Sequence, residues 1–361
     1  MKIAIVGPGM IGSAAARHLA KAGHDVVLIG TGEPDDWGAH HGAFASHYDE
    51  GRITRVGDPH PFYARVSKAS IDRYGEIEAE SGISFFTECG ALIAGNAPFM
   101  DRVTATRAEV PSTYATLDAD GLRGRFPYLS IADGVTGHHE PGKAGHISPR
   151  RLVAAQQKAA AAAGAKRLET EAVHVAPGLI KTDKDTVACD QVIVAAGGWT
   201  DAVLGRAPEL KVYARTVAFH EIPADEVSRL ATMPSMILND RFVYVLPPIR
   251  YPDGRVWLKL GGETVDRVVS GRDEIGDWFR SGGDGTVGDA LTETLTALIP
   301  DLAYSDRRIA PCVTTFTENG LPEIRKLEDG LTVAAAGCGA GAKCSDELGR
   351  MAAEQAIGDM P

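Results

Sequence analysis

The first thirty residues constrain this chain more than any later stretch. Lys2 to Val6 is a short apolar run, GPGMIG follows at 7–12, and the next residues, Ser13 to Ala20, are rich in alanine. That order reads as a buried parallel strand, a tight turn and a helix. Gly23 stands where a C-terminal glycine cap belongs, and Asp25 to Ile29 reads as a second strand. A β–α–β opening of this kind predicts a parallel sheet covered by helices. Each glycine has a task in it. Gly7 allows the tight turn, Gly9 lets backbone amides approach a pyrophosphate, and Gly12 lets helix and strand lie close. The helix start at Met10 and Ile11 adds partial positive charge for the phosphates. Dinucleotide binding is the expectation, without a choice between nicotinamide and flavin. One position departs from it: the acid that usually holds the adenosine ribose at the second strand's end is Gly30. Thr31 and Glu33 are the candidate substitutes, with backbone groups as the alternative.

Farther along, Thr31 to Arg55 reads as loop, Pro61 to Ser81 as helix, and Phe85 to about 145 as strands and turns. Ser148, Pro149 and Gly164 read as the cap, first residue and stop of one helix. DQVIVAAGGWTD at 190–201 is a buried strand running into a small-residue turn. The stretch 205–310 changes character, with a hairpin at 241–264 around Pro252-Asp253-Gly254. The chain end, 330–358, returns to strand, glycine loop and helix. The expected architecture is α/β (α+β overall). A Rossmann-type dinucleotide lobe comes from 1–80, 145–205 and 311–361, and an antiparallel-sheet substrate lobe, 81–144 and 206–310, is inserted in it.

Composition narrows the partners. The net charge is -11, from 37 basic and 48 acidic residues, which argues against a nucleic-acid surface. No apolar run reaches the roughly 18 residues that a membrane span needs, and the direct entry into a strand leads us to expect no secretory leader. Five cysteines, an odd number without a CxxC pair, fit a reduced cytoplasmic chain with neither disulfide frame nor metal site.

The second glycine loop is more informative. In AAAGCGAGAK, Gly339 and Gly341 would let a flat ring approach the backbone, and Lys343 follows with positive charge. A nicotinamide dehydrogenase has no need of such a loop at its end; an extended flavin lying across the sheet does. Six ordered motifs then point one way: GPGMIG, SHYDEGRITR (46–55), VIVAAGGWT (192–200), WLKLGGET (257–264), APCVTTFTENGLPEI (310–324) and GCGAGAK (337–343). In them the chain resembles the flavin-dependent amine oxidases typified by monomeric sarcosine oxidase, N-methyltryptophan oxidase and the fructosyl-amino-acid oxidases.

That resemblance implies an FAD-binding domain of Rossmann type. The cofactor contacts it implies are Gly7, Gly9, Met10, Ile11, Gly12, Thr31, Glu33, Ser46, His47, Arg52, Val173, Gly197, Trp199, Gly339, Gly341, Ala342 and Lys343. It implies Cys312 as a covalent flavin anchor. Lys259 takes the place of the family's oxygen-activating lysine, although a strand lysine ordinarily points to solvent. Arg52 would lie against the flavin and favour its reduced anion. Arg55 and Lys343 take the place of the pair that binds a substrate carboxylate, where a guanidinium fork and an ammonium act together. Glu263 stands where the sarcosine and methyltryptophan oxidases carry His and the fructosyl-amino-acid oxidases carry Glu. With Ala340 and Ala342 it implies a bulkier N-substituted amino acid, Amadori or opine-like, with an N-methyl amino acid as the other option. Tyr244 is a candidate pocket wall.

The activity so implied is oxidation of a secondary amine's C–N bond, hydrolysis of the imine, and release of hydrogen peroxide from molecular oxygen by a monomer or weak dimer. The alternatives are a flavin dehydrogenase with another electron acceptor, a nicotinamide dehydrogenase, and a non-catalytic or tRNA-modifying relative.

Overall fold

The structure is a computed structural model that describes residues 1–206, 210–262 and 267–358. Strand Lys2–Val6 lies between Asp25–Ile29 and Gln191–Val194, parallel to both. Leu331–Ala335 extends the sheet past Gln191–Val194, and Lys166–Leu168 adds to the other side. Glu323–Glu328 pairs antiparallel at the edge. Both faces of the central strands are covered, so their side chains are apolar in continuous runs rather than alternating.

On one face Ile3, Ile5, Val26, Leu28 and Ile193 pack against helices Met10–Lys21 and Gly341–Ile357. Each such buried aliphatic side chain contributes about 1.5–3 kcal/mol. Gly349 lets the two helices cross closely, because a Cβ there would stand 2.5 Å from the Ala14 Cβ. On the other face Ala4, Val27, Val192 and Val333 meet Val175, Ile180 and Val187 of a small antiparallel sheet.

The second lobe is built on a nine-stranded sheet among the described residues. It is antiparallel except where Ser235–Leu238 runs parallel to Ala91–Gly95. Helix Gly285–Leu298 buries Leu291, Leu295 and Leu298 in that lobe's core. The expected hairpin is present as Val243–Arg250 and Val256–Gly262. Strand Lys211–Glu221 pairs along its whole length with Asp306–Phe316, which sets Cys312 opposite Arg215. Position 311, the expected lobe boundary, therefore lies inside a continuous strand.

Helix Pro61–Ser81 forms over the expected span. Helix Pro149–Ala162 begins where expected, with the Ser148 hydroxyl accepting from the Arg151 N–H at 3.1 Å. The stretch expected as strands and turns up to 145 also holds two helices, Ala97–Glu109 and Ala119–Arg125. Asn96 and Asp118 cap them, accepting from the N–H groups of Phe99 and Gly121. Few of their residues are buried, so their apolar periodicity is faint. Among the described residues, no helix is long and apolar enough to cross a membrane.

Candidate active site

The carboxyl ends of the central parallel strands open into three adjoining cavities, the usual ligand position in an open α/β sheet. The first, about 380 Å³, is lined by Gly7, Gly30, Thr31, Val173 and Trp199. The second, about 220 Å³, is lined by Gly9, Met10, Ile11, Ser46, His47, Gly197 and Gly341, and shares Phe44 and Trp199 with the first. The third, about 510 Å³, shares Arg52, Cys312, Gly339 and Ala342 with the second and reaches Arg55, Tyr244 and Lys343. A path thus runs from the first β–α turn to the second lobe.

The turn at Gly7 needs a positive φ of 105°, and a Cβ there would stand 2.3 Å from the Ala195 carbonyl oxygen. Gly12 lies behind the cavities and serves packing, since its Cβ would meet the Gly7 carbonyl oxygen at 2.0 Å. The missing acid at 30 has a steric cause. Gly30 adopts φ 151°, and a Cβ would stand 2.2 Å from the Pro8 ring. Thr31 and Val173 line the first cavity, whereas Glu33 does not. Both Glu33 oxygens accept from Arg150, at 2.7 and 2.8 Å.

The path fits FAD. Helices Met10–Lys21 and Gly341–Ile357 both begin at the second cavity, with no side-chain cap and no acidic residue in the first turn. Their first N–H groups are therefore available to phosphate oxygens and to ring carbonyls. A Cβ on Gly197 or Gly341 would enter open space, and one on Gly9 would have nothing nearer than 4.0 Å. Burial and the charges of Arg150, Arg167 and Arg52 push His47 down to about 3, so its imidazole is neutral. The Trp199 indole is fixed by donating to the Phe44 carbonyl at 2.7 Å. Ser46 hydrogen-bonds the Val313 carbonyl at 3.4 Å.

Two clusters of charge border the third cavity. In the first, the Lys259 ammonium is wholly buried and donates to Asp49 and to the Gly51 carbonyl, the latter at 3.0 Å. It lies a layer behind the cavity wall, 5.6 Å from the centre of the Tyr244 ring. Tyr244 fits there because its cross-strand partner is Gly261, whose absent Cβ would stand 2.4 Å from the ring. Arg52 donates to the same Asp49 and to the Ser46 carbonyl, and lies 3.9 Å from the Cys312 sulfur. Tyr251 donates its hydroxyl to Asp49 at 2.8 Å. Burial opposes the charge on Asp49, but Lys259 and Arg52 outweigh it and hold the carboxyl well below the usual range. Burial and Arg52 push Lys259 down to about 8, against the opposing pull of Asp49.

In the second cluster, Arg55 and Lys343 converge on Asp58, at 3.2 and 2.9 Å. Lys343 also donates to the Ser67 hydroxyl at 2.8 Å. Burial again opposes the carboxylate, and Lys343 and Arg55 again hold Asp58 below the usual range. The turn carrying Arg55 is clamped from behind. Glu140 accepts from the N–H groups of Val56 and Gly57, at 3.1 and 2.9 Å, and pairs with buried Arg107 at 2.8 Å.

Arg52, Arg55, Tyr244, Cys312 and Lys343 line one cavity, and Lys259 stands behind its wall. Glu263 lies outside the described residues. Asp49, Asp58 and Glu140 were not anticipated. The two aspartates carry a faint trace, each three residues from an arginine, but the lysine each one holds is 210 or 285 residues away.

The comparisons with known proteins identify the family. Over 378 residues, 98% of this chain and 92% of the relative, the sequence is 25% identical to monomeric sarcosine oxidase of Bacillus sp. (strain B-0618). It is 27% identical to N-methyl-L-tryptophan oxidase of Yersinia pestis (strain Pestoides F) over 214 residues, 56% of this chain and 55% of that one. The fold superposes on NikD, described as an unusual amino acid oxidase essential for nikkomycin biosynthesis. That match has a TM-score of 0.79 and 19% identity, over 99% of this chain and 94% of that one. Residues 2–355 match the family described as FAD dependent oxidoreductase. With two uncapped helix starts on one cavity path and that match over nearly its whole length, the chain belongs to the FAD dependent oxidoreductase family, as a flavoenzyme related to the sarcosine and N-methyltryptophan oxidases.

Proposed function

We propose that the enzyme oxidises the C–N bond of a secondary amine on an N-substituted amino acid, with the imine hydrolysed by water and hydrogen peroxide released. The observation that supports this most directly is the convergence of Arg55 and Lys343 on one wall of a cavity of about 510 Å³ that also contains Arg52 and Cys312. Bound FAD supplies the acceptor for the two electrons of the C–N bond. Arg55 and Lys343 anchor the substrate carboxylate. Lys259 and Arg52 place positive charge where negative charge develops on dioxygen. The outer cavity favours a bulky N-substituent, Amadori or opine-like, over a methyl group. Phe99, Ile237 and Val243 line it, and Phe242 stands at its mouth, 69% exposed and at φ 54°. A bulky residue in that backbone region is strained, as residues at ligand clamps often are. A peroxide-coupled screen of N-methyl, N-fructosyl and opine-type amino acids tests the reading, and activity confined to N-methyl compounds removes the bulky class.

Two steps respond oppositely to pH. The amine reacts without its proton, so the substrate-dependent reduction speeds up as pH rises. Lys259 loses its charge as pH rises through about 8, so the reaction with oxygen slows above that value. In Asp49→Asn the pull that raises the Lys259 pKa is gone, and the oxygen limb moves to lower pH. Stopped-flow rates for each half, measured from about pH 6 to 10, check this; a flat oxygen limb contradicts it.

Cys312 is proposed as a covalent anchor because it lies at the junction of the second and third cavities. Acid precipitation of the yellow protein is expected to leave colour in the pellet, and Cys312→Ser to release it to the supernatant. Colour in the supernatant of the unaltered protein removes the claim.

Asp49 favours one second reading. It offsets the Lys259 charge, and an enzyme with a muted oxygen step would pass electrons to another acceptor. Substrate turnover with a dye but without peroxide in air would identify that case.

A further inference from the structure

We propose that Asp58 is an internal competitor for the substrate's carboxylate, seated between Arg55 and Lys343 in the free enzyme. The inference rests on reading Arg55 and Lys343 as the carboxylate-binding pair. Asp58 is 6% exposed and lines the third cavity beside both cations. Its two oxygens are used differently. Oδ1 accepts from the His60 N–H at 3.0 Å, in the turn that leads into helix Pro61–Ser81. Oδ2 alone takes Arg55 at 3.2 Å and Lys343 at 2.9 Å. One oxygen thus serves the local fold, and the other occupies the position that an incoming carboxylate needs.

The charges follow simply. Arg55 and Lys343 bring two positive charges and Asp58 returns one negative, so the trio offers a net single positive charge. Two buried cations with no counter-ion would repel each other at a high desolvation cost, which Asp58 relieves in the free enzyme. An arriving carboxylate must share the pair with Asp58 or displace Oδ2 from it, at the cost of like-charge repulsion in a site of low dielectric. Arg55 has an additional donor ready, since its buried Nε has no hydrogen-bond partner.

Asp58→Asn isolates the effect. It keeps an oxygen for the His60 N–H and replaces the charged acceptor Oδ2 by a neutral amide NH2, so the two cations lose their resident anion. The FAD-loaded protein is titrated calorimetrically with benzoate and, for comparison, with uncharged benzamide, so no turnover is read. The expected result is benzoate bound at least about tenfold more tightly by Asp58→Asn, with benzamide binding unchanged. Benzoate affinity unchanged or weakened, benzoate binding to neither protein, or equal tightening of both ligands overturns the inference. Asp58→Ser, smaller and also uncharged, replaces the Asn variant if that one does not retain FAD, with the same expected result. If benzoate tightens but no secondary amine is oxidised, the amine-oxidase reading fails and this inference stands. If amines are oxidised but benzoate does not tighten, this inference fails and the amine-oxidase reading stands.

Discussion

Lys259→Met is expected to lower peroxide formation by about 100- to 1,000-fold, the usual loss when one pre-positioned charge-stabilising group is removed. Anaerobic reduction by substrate is expected to change far less, because Lys259 lies behind Arg52 and Tyr244 rather than on the cavity wall. The variant should still fold. Asp49 keeps Arg52 and the Tyr251 hydroxyl as partners, so it is not left as a bare buried charge. Stopped-flow mixing of the reduced protein with oxygen, separately from reduction, reads the two halves. Equal losses in both halves would instead assign Lys259 to substrate binding or to structure.

Arg55→Met is expected to raise KM for a carboxylate-bearing amine by about 30- to 4,000-fold, the range for truncating one partner of a buried charged hydrogen-bonded pair. The effect on kcat should be small, because Arg55 holds the part of the substrate that does not react. Arg55→Met also loses the bond from Arg55 to the Gly57 carbonyl, but Glu140 still holds the same turn through the N–H groups of Val56 and Gly57. Asp58 retains Lys343 and its bond from the His60 N–H. Kinetics with an acid and its amide or ester analogue check the assignment. The acid should lose most of its advantage over the neutral analogue, and equal losses for both would show that Arg55 does not read the carboxylate.

The Rossmann-type lobe was legible because its signals are local. The run Lys2–Val6, the glycines after it and the cap at Ser148 each act on residues only a few positions away. Arg52, Arg55, Cys312 and Lys343, singled out from ordered motifs, line one cavity, with Lys259 behind its wall. Charge compensation was not legible. Asp49 and Asp58 sit in segments without periodicity, and their lysines arrive from strand Val256–Gly262 and helix Gly341–Ile357. Glu33 illustrates the same limit. From the sequence it was a candidate for the ribose, but Arg150, at the start of a helix 117 residues later, already holds both of its oxygens. The absence of an acid at 30 was visible, yet its cause, the Pro8 ring against Gly30, needed three-dimensional packing. Helix Ala97–Glu109 was missed because it buries only a narrow set of residues, among them Phe99, Met100 and Val103.

The most direct test of flavin-dependent C–N oxidation is spectral. The purified yellow protein is mixed without oxygen with each member of a panel of N-methyl, N-fructosyl and opine-type amino acids, and then exposed to air. At least one member is expected to bleach the flavin bands, and air to restore them with peroxide and the hydrolysed carbonyl product in equal amounts. A flavoprotein whose bands no secondary amine in the panel bleaches would contradict it.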